Sequence, residues 1–203
     1  MSKITSITVQ EKNKNRCNIF IDGDFFIGLS AELVYEKSLK VGDLINKEQL
    51  RQLTIDKDKS DALQKAINYL SKSMKTKKQI KTYLLGKGYS EEVVYHCIDK
   101  LKEYNLINDS EYAQKYIIGN SKNQGKNLVQ FKLMQKGIRK EEILSAYDEL
   151  EIDSKENARA LAEKRLKNKE ITKELLSKTY RYIISKGFSY DDASYAIEPF
   201  KEN

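Results

Sequence analysis

The chain has 203 residues, of which 39% are hydrophobic and 33% are charged, and it contains 9 Gly but only one Pro. This composition is typical of a soluble, helix-rich protein. No apolar run approaches the roughly 18 residues that a membrane span needs, and the first residues do not form a signal peptide. We therefore expect a cytoplasmic protein with no membrane association. Its net charge of +7 favours a polyanionic partner.

The first 30 residues alternate with a period of two, which predicts strands. Three short strands are expected at Ile7 and Val9, at Cys17, Ile19 and Ile21, and at Phe25 and Ile27. Segments 12–15 and 22–24 have turn composition, so the strands should form a small antiparallel meander. Ser30 is expected to cap a short helix that runs to Lys37, and Asn46 to begin a helix that ends near Thr54. The charged segment 56–60 is predicted to be a linker.

Three glycines mark an internal repeat in the remainder of the chain. Gly88, Gly137 and Gly187 lie 49 and 50 residues apart, which is the period of stacked helical units. Each follows a predicted helix and precedes another, so each should be a C′ residue in the left-handed conformation. The apolar pair before each turn, such as Leu84 and Leu85, is expected to point inward.

After each glycine, one apolar stripe recurs at i, i+3, i+4 and i+7, the spacing of a buried helix face. The stripes are Val94, Cys97, Ile98 and Leu101; Ile143, Ala146, Tyr147 and Leu150; and Ala193, Ala196, Ile197 and Phe200. A preceding helix completes each unit, with Leu63, Ala66, Ile67 and Leu70 as the first such stripe and Ala158, Leu161 and Ala162 as the third.

The predicted fold is mainly α. It is a solenoid-like tandem array of three three-helix repeats, with about nine helices, behind a small N-terminal antiparallel β element. The expected domains are 1–55 for the β meander with its short helices, then repeats at 60–108, 109–152 and 154–203. Ser90, Ser154, Thr172 and Ser189 stand where helices should begin. Pro199 and the polar residues 201–203 should end the last helix.

Basic residues are concentrated in the second helix of each repeat. Residues 71–90 hold six Lys and no acid, and residues 112–140 hold seven Lys or Arg and no acid, whereas acids cluster in the third helices. The candidate contact residues are Lys75, Lys78, Lys81, Lys122, Lys126, Lys132, Lys178 and Arg181. Charge alone leaves two interpretations open: a solvated face, or a track for a phosphate backbone or an acidic protein groove.

The sequence offers little for catalysis. His96 is the single His, and Cys97 beside it would lie about 100° away around a helix. Paired carboxylates such as Asp191 and Asp192 are typical of helix starts, and no phosphate-binding glycine loop is present. Cys17 and Cys97 lie on apolar stripes and are expected to be reduced core thiols. We therefore expect no catalytic, cofactor or metal site.

The chain contains 13 Tyr but no Trp. Those in or beside helices, Tyr69, Tyr83, Tyr104, Tyr112, Tyr116, Tyr180 and Tyr182, are expected to pack at core edges with their hydroxyls in solvent. Stacking on nucleic-acid bases is the alternative.

Several spaced motifs resemble the RecX family of bacterial recombination regulators. They are Ser73-x-x-Thr76-x-x-Gln79-Ile80-x-x-Tyr83-Leu84-x-x-Lys87-Gly88-Tyr89, then Val94 and Leu101, Leu106-Ile107-Asn108-Asp109-x-x-Tyr112-Ala113, and Lys136-Gly137-Ile138. Residues 20–25, 28–30 and 39–43 resemble the strand-containing extension of the longer family members. This chain departs from the family pattern at Lys72, where many relatives have Arg, and at Gln79, where they have an acid. Near Gly125, a commonly Arg position is filled by Asn120 or Lys122.

The resemblance implies a monomeric, non-enzymatic protein that binds the RecA recombinase in the groove of its filament on DNA. Such a protein restrains the ATPase, strand-exchange and coprotease activities of RecA in homologous recombination and the SOS response, and it binds single- and double-stranded DNA weakly. The alternatives are a sequence-specific helix-turn-helix transcription regulator, against which the threefold repetition argues, and an enzyme such as a nuclease.

Overall fold

The computed structural model describes residues 1–11 and 13–201. Lys12 of the predicted first turn, and Glu202 and Asn203 of the predicted polar end, lie outside the described residues. The chain forms two compact units. The first unit comprises residues 1–73 and 81–104, and the second comprises residues 74–80 and the chain from residue 105 onward.

The first unit begins with an antiparallel sheet of four strands in the order β3-β2-β1-β4. The strands are β1 (Ser2–Val9), β2 (Arg16–Ile21), β3 (Asp24–Ser30) and β4 (Leu44–Ile45). The three-strand meander is thus confirmed, and the two-residue β4 was missed because it is too short to show a period. Its pairing with Ser2 and Lys3 places it at the outer edge of β1.

A bulge in β1 between Ile4 and Ser6 interrupts the expected alternation of buried residues. Ile4 is fully buried, whereas Val9, expected on the buried face, is exposed. Phe25 is also exposed, and Leu29 is buried in its place as the apolar anchor of β3. The core of the sheet is Ile4, Ile19, Ile21, Leu29, Leu33 and Leu50.

Two helices follow the sheet. Ser30 caps α1 (Ala31–Glu36) by accepting the Leu33 N–H, and Asn46 caps α2, as the sequence predicts. Helix α2 runs without a break from Lys47 to Leu70. The predicted helix end near Thr54 and the charged linker at 56–60 are therefore wrong.

The linker is absent because one of its acids is anchored to the sheet. Both oxygens of Asp58 accept 3.0 Å hydrogen bonds from the Arg16 guanidinium of β2, and both side chains are almost buried. A charged segment without Gly or Pro has no helix-breaking residue, so this bidentate pair can hold it within α2.

Nine helices, α2 to α10, follow α1 in the described part of the chain, the number expected for three repeats. The first unit ends with most of α3 (Lys77–Gly86) and with α4 (Glu91–Glu103). The second unit holds the start of α3 and six helices. These are α5 (Asp109–Asn120), α6 (Lys126–Gln135), α7 (Lys140–Asp148), α8 (Ser154–Leu166), α9 (Lys173–Ser185) and α10 (Tyr190–Ile197), followed by a 3-10 turn at Glu198–Phe200 that contains Pro199.

The predicted stripes form separate cores. Val94, Cys97, Ile98 and Leu101 of α4 are buried. In the second unit, Ile143 and Ala146 lie in a core with Ala113, Ile117 and Leu133, and Ala193, Ala196 and Ile197 lie in another with Ala158, Ala162 and Ile183. Tyr147, Leu150 and Phe200 are only partly buried at the edges of these cores. In α2, Ala66 is buried, whereas Leu63, Ile67 and Leu70 are half-buried.

The turn glycines have the predicted left-handed backbone, with φ of +88° at Gly88, +90° at Gly137 and +87° at Gly187. The expectation that both members of each apolar pair point inward is wrong for the first two pairs, whereas Ile183 and Ile184 both pack in the core of the third repeat. Leu84 and Leu133 are fully buried, but Leu85 and Met134 are exposed. Adjacent residues on a helix lie about 100° apart, so in the first two pairs only one residue faces the core.

The predicted helix starts at Ser90, Thr172 and Ser189 are confirmed as N-caps. Asp153 rather than Ser154 caps α8. No helix among residues 1–11 and 13–201 combines the length and hydropathy of a membrane span.

Candidate functional site

The start of α3 docks on the turn between α6 and α7. Thr76 accepts the N–H of Gln79 at 3.3 Å, and the Gln79 side chain accepts the N–H of Thr76 at 3.0 Å, which completes a capping box. The Thr76 hydroxyl then donates a 2.6 Å hydrogen bond to the carbonyl of Lys136. Thr76 is fully buried, so its hydroxyl is satisfied by this one carbonyl and the cap.

Gly137, next to Lys136, allows α3 to approach the turn closely because it has no side chain. A Cβ on Gly137 would lie 2.4 Å from Cβ of Lys78, which is far closer than two carbons can approach. The Lys78 stem therefore covers the turn, and its Nζ donates to the carbonyl of Gln135 at 3.1 Å. The position of Lys78 is thus fixed by the turn of the next repeat.

The start of α6 makes the equivalent contact with the turn between α9 and α10. The N–H of Gly125 donates to the carbonyl of Lys186 at 2.9 Å, and that of Asn127 donates to Gly187 at 3.1 Å. A Cβ on Gly187 would lie 2.3 Å from Cβ of Leu128. The second helices of the first two repeats thus begin against the Lys-Gly turn of the following repeat, which explains why the glycine spacing is kept.

The candidate basic residues near α3 have different surroundings. Lys78 lies in the second unit, as does Lys75, which is half-buried and has interaction partners of its own. Lys81 belongs to the first unit, where its Nζ lies 2.6 Å from the Tyr95 hydroxyl and 3.4 Å from Glu91. The hydrogen bond to Tyr95 raises the pKa of Lys81, so this amine stays charged.

Three candidates precede or lie in α6. Lys122 is exposed in the loop before the helix, and Lys126 in the first turn lies 4.9 Å from the Tyr147 ring centre. Lys132 donates a 2.8 Å hydrogen bond to the Gln124 side chain. Only the last of these amines is held by a hydrogen bond that fixes its direction.

The two candidates on α9 are exposed and one helical turn apart. Lys178 pairs with Glu174 at 2.6 Å, so its charge is partly compensated within the helix. Arg181 makes long hydrogen bonds to the carbonyl and hydroxyl of Ser177. An exposed pair of this kind contributes little to stability and leaves the cation available to a partner.

The sequence missed a set of basic residues that lie over tyrosine rings. Lys136 Nζ lies 5.9 and 5.7 Å from the ring centres of Tyr112 and Tyr116, which lie nearly parallel to one another. Arg165 and Lys186 lie 4.4 and 5.1 Å from the Tyr182 ring centre. Tyr112, Tyr116 and Tyr182 also pack at core edges, as predicted. The i, i+4 spacing of Tyr112 and Tyr116 was the available signal for a shared partner.

His96 and Cys97, the two residues considered for catalysis, differ in their exposure to solvent. His96 is exposed, whereas Cys97 is fully buried, and burial raises the pKa of its thiol to about 11. Both cysteines are unpaired and buried, which confirms them as core thiols. Among the described residues, no cluster of three or more His, Cys, Asp or Glu could hold a metal ion.

Three domain families match this chain. Residues 2–46 match the regulatory protein RecX N-terminal domain, residues 62–101 match the first three-helix domain of RecX, and residues 151–197 match its third three-helix domain. Together they account for both the strand-containing start and the first and last repeats.

Proteins named regulatory protein RecX align over almost the full length. That of Clostridium botulinum (strain Alaska E43 / Type E3) is 40% identical over 198 residues, which cover 94% of this chain and 92% of the relative. That of Clostridioides difficile (strain 630) is 40% identical over 196 residues, with the same coverage of both chains.

Solved structures agree. A crystal structure of regulatory protein RecX covers all of both chains with a TM-score of 0.65 and 25% identity. The crystal structure of RecX from Lactobacillus salivarius has a TM-score of 0.64 and 27% identity, and it covers 73% of this chain and 99% of its own. By domain content, sequence and fold, this chain belongs to the RecX family of regulatory proteins.

Proposed function

We propose that this chain is a non-enzymatic regulator that binds RecA and its filament on DNA, in the filament groove. It restrains the ATPase, strand-exchange and coprotease activities of RecA in homologous recombination and the SOS response. It acts as a cytoplasmic monomer with weak affinity for single- and double-stranded DNA. The domain division at 1–55, 60–108, 109–152 and 154–203 is part of the same proposal, with its first boundary inside the continuous helix α2 and not in a linker.

The observation that carries the proposal is the pair of equivalent docking contacts in the second unit. Thr76 on Lys136 and Gly125 on Lys186 place the starts of two successive second helices against the glycine turn of the next repeat. Basic residues lie in and beside these second helices, so the repeated contact places positive charge at equivalent points of successive repeats. A filament of protein and nucleic acid is itself regular, which makes it a suitable partner for such an array.

The test is RecA ATP hydrolysis on single-stranded DNA while this protein is titrated in, at two salt concentrations. We expect hydrolysis to fall at substoichiometric amounts of the protein and less steeply at the higher salt, because screening weakens exposed charge contacts. Unchanged hydrolysis at stoichiometric amounts would overturn the proposal. A sequence-specific footprint on duplex DNA without RecA would instead support a transcription regulator.

Lys178 and Lys115 provide a matched pair of variants for this assay. Each pairs with a Glu one turn before it, at 2.6 and 2.7 Å, and the two side chains are 56% and 61% exposed. Lys178→Glu and Lys115→Glu therefore each remove one Lys–Glu ion pair within a helix. We expect only Lys178→Glu to weaken inhibition, because Lys115 is outside the candidate set.

A further inference from the structure

The first unit contains a groove of about 1150 Å³ between the loops of the sheet, helix α2 and the turn between α3 and α4. None of the candidate basic residues lies in it. Its lining combines tyrosines, lysines and amides: Tyr69 and Tyr83, Lys65, Lys72 and Lys87, and Asn13, Asn15 and Asn68. Aromatic rings in a positively charged groove are the features that bind unpaired nucleotides, and the amides add hydrogen-bonding groups.

Two tyrosine rings in the groove stack on one another. The rings of Tyr69 and Tyr83 stack with their centres 4.3 Å apart and their planes 13° from parallel. Both residues are half-buried, so the pair is supported by the fold yet retains solvent-facing surface. Lys87 Nζ lies 5.5 Å from the centre of the Tyr83 ring, which puts a cation beside the aromatic surface.

The charge of the groove is positive once internal pairs are considered. Arg16 is neutralised by Asp58, and Glu32 pairs with Lys57, which lies outside the lining, at 3.1 Å. Lys65, Lys72 and Lys87 then face Asp61 as the remaining acid of the lining. The Lys65 amine is held at 2.9 Å from the Tyr89 hydroxyl, and this hydrogen bond raises its pKa and keeps it charged.

The glycine turn of this groove is open, unlike the other two. Leu128 and Lys78 fill the space beside Gly187 and Gly137, where a Cβ would meet atoms at 2.3 and 2.4 Å. A Cβ on Gly88 or Gly86 would meet nothing within 4 Å in the described residues. A ligand backbone can therefore approach this turn closely.

We propose that this groove binds single-stranded nucleic acid, with bases stacking against the Tyr69 and Tyr83 pair and phosphates lying near Lys72 and Lys87. Duplex DNA keeps its base faces stacked within the helix, so the tyrosines favour unpaired strands. The amides of Asn13, Asn15 and Asn68 offer hydrogen bonds to base edges without selecting one base. The groove thereby gives a place in the fold to the single-stranded DNA affinity that is part of the function proposed above, and its role rests on that part of the proposal. It contains none of the candidate basic residues, and the binding needs no RecA.

The test measures the anisotropy of a fluorescein-labelled oligothymidylate with the full chain, without RecA. We compare Lys87→Gln/Tyr83→Leu with Lys100→Gln/Tyr104→Leu, which removes another lysine–tyrosine contact, at 6.0 Å, outside the groove lining. The groove variant should weaken binding at least about fivefold, the lower limit for losing one stacked base. The control variant should bind as the native chain does.

Two further measurements keep the proposal falsifiable if Tyr83→Leu disturbs the fold. Lys72→Gln leaves both tyrosines in place and should reduce the slope of log affinity against log salt by about 0.7. An abasic oligonucleotide of equal length should bind the native chain at least about fivefold more weakly than oligothymidylate, because it has no bases to stack.

Equal affinity of the native chain and both groove variants would overturn the proposal. Equal binding of the abasic strand, or displacement of oligothymidylate by polyglutamate at equal charge, would overturn it in favour of a site that recognises negative charge alone. RecA inhibition is measured separately on the same variants. Loss of inhibition with unchanged oligonucleotide binding would therefore overturn this site without affecting the proposed function.

Discussion

The hydroxyl of Thr76 and the backbone N–H of Gly125 make the same contact one repeat apart. Each stands 12 residues before the turn glycine of its own repeat, and each donates to the carbonyl of the Lys that precedes the next turn glycine. A side chain performs in one repeat what the backbone performs in the other. The contact is therefore a property of the repeat, although the residue that makes it differs.

The first prediction concerns this hydroxyl. Thr76→Val should lower the free energy of unfolding by about 2 kcal/mol, because it removes a helix cap and a buried hydrogen bond together. Thr172→Val is the matched control. Thr172 caps α9 through the Leu175 N–H and is exposed, so its loss should cost only about 1 kcal/mol. Urea denaturation measures both values, and equal losses would contradict a role for Thr76 beyond capping.

The second prediction compares two turn glycines with the same backbone. Alanine at φ near +90° costs about 1 to 2 kcal/mol at either position. Gly137→Ala also forces a Cβ against Cβ of Lys78, whereas Gly88→Ala enters open space. We expect Gly137→Ala to be the more destabilising by at least about 1 kcal/mol, since a clash adds to the strain. Thermal unfolding of the two variants decides this, and equal melting temperatures would refute the docking geometry.

The third prediction is a pH dependence at the start of α7. Hydrogen bonding to the Arg139 guanidinium, at 2.7 Å, lowers the pKa of Glu142 below its ordinary 4.5. A lowered folded-state pKa stabilises the protein above the unfolded value, and this contribution is lost as the pH falls through the folded value. Glu142→Gln should therefore cost about 0.5 to 1 kcal/mol at pH 7 and progressively less below pH 4.5. A cost that stays constant down to pH 3 in denaturant titrations would show that the carboxylate charge is not involved.

The fourth prediction concerns phosphate contacts by the second helices. If about four of Lys75, Lys78, Lys132, Lys178 and Arg181 meet single-stranded phosphates, log affinity against log salt should have a slope near about −3, from ~0.7 per contact. Lys178→Gln should reduce that slope by about 0.7, and the matched Lys115→Gln should leave it unchanged. The slope is measured by anisotropy titrations at salt concentrations from about 50 to about 200 mM. A flat dependence would assign these side chains to protein contacts or to solvent.

Local pattern was sufficient to predict most of the helices and caps. The stripe on α4 and the left-handed Gly88, Gly137 and Gly187 follow from residue type and spacing, because helix period and glycine backbone freedom are local properties. The same local pattern failed at segment 56–60. There the decisive interaction is between Asp58 and Arg16, 42 residues apart in sequence, and no window along the chain contains both.

The candidate contact surface, too, could be predicted from the sequence only in part. Composition identified the basic second helices, and the motifs around Thr76, Gly88 and Gly137 identified the family. Only the tertiary structure showed that Lys136 lies over two tyrosines and that Tyr69 stacks on Tyr83. It also showed that the space beside Gly88 is open, whereas Lys78 fills the space beside Gly137. The sequence determines which residues can turn, cap or carry charge, because these are properties of each residue and its neighbours. Which of them meet is decided by packing between distant segments, since a contact depends on where both partners lie in space.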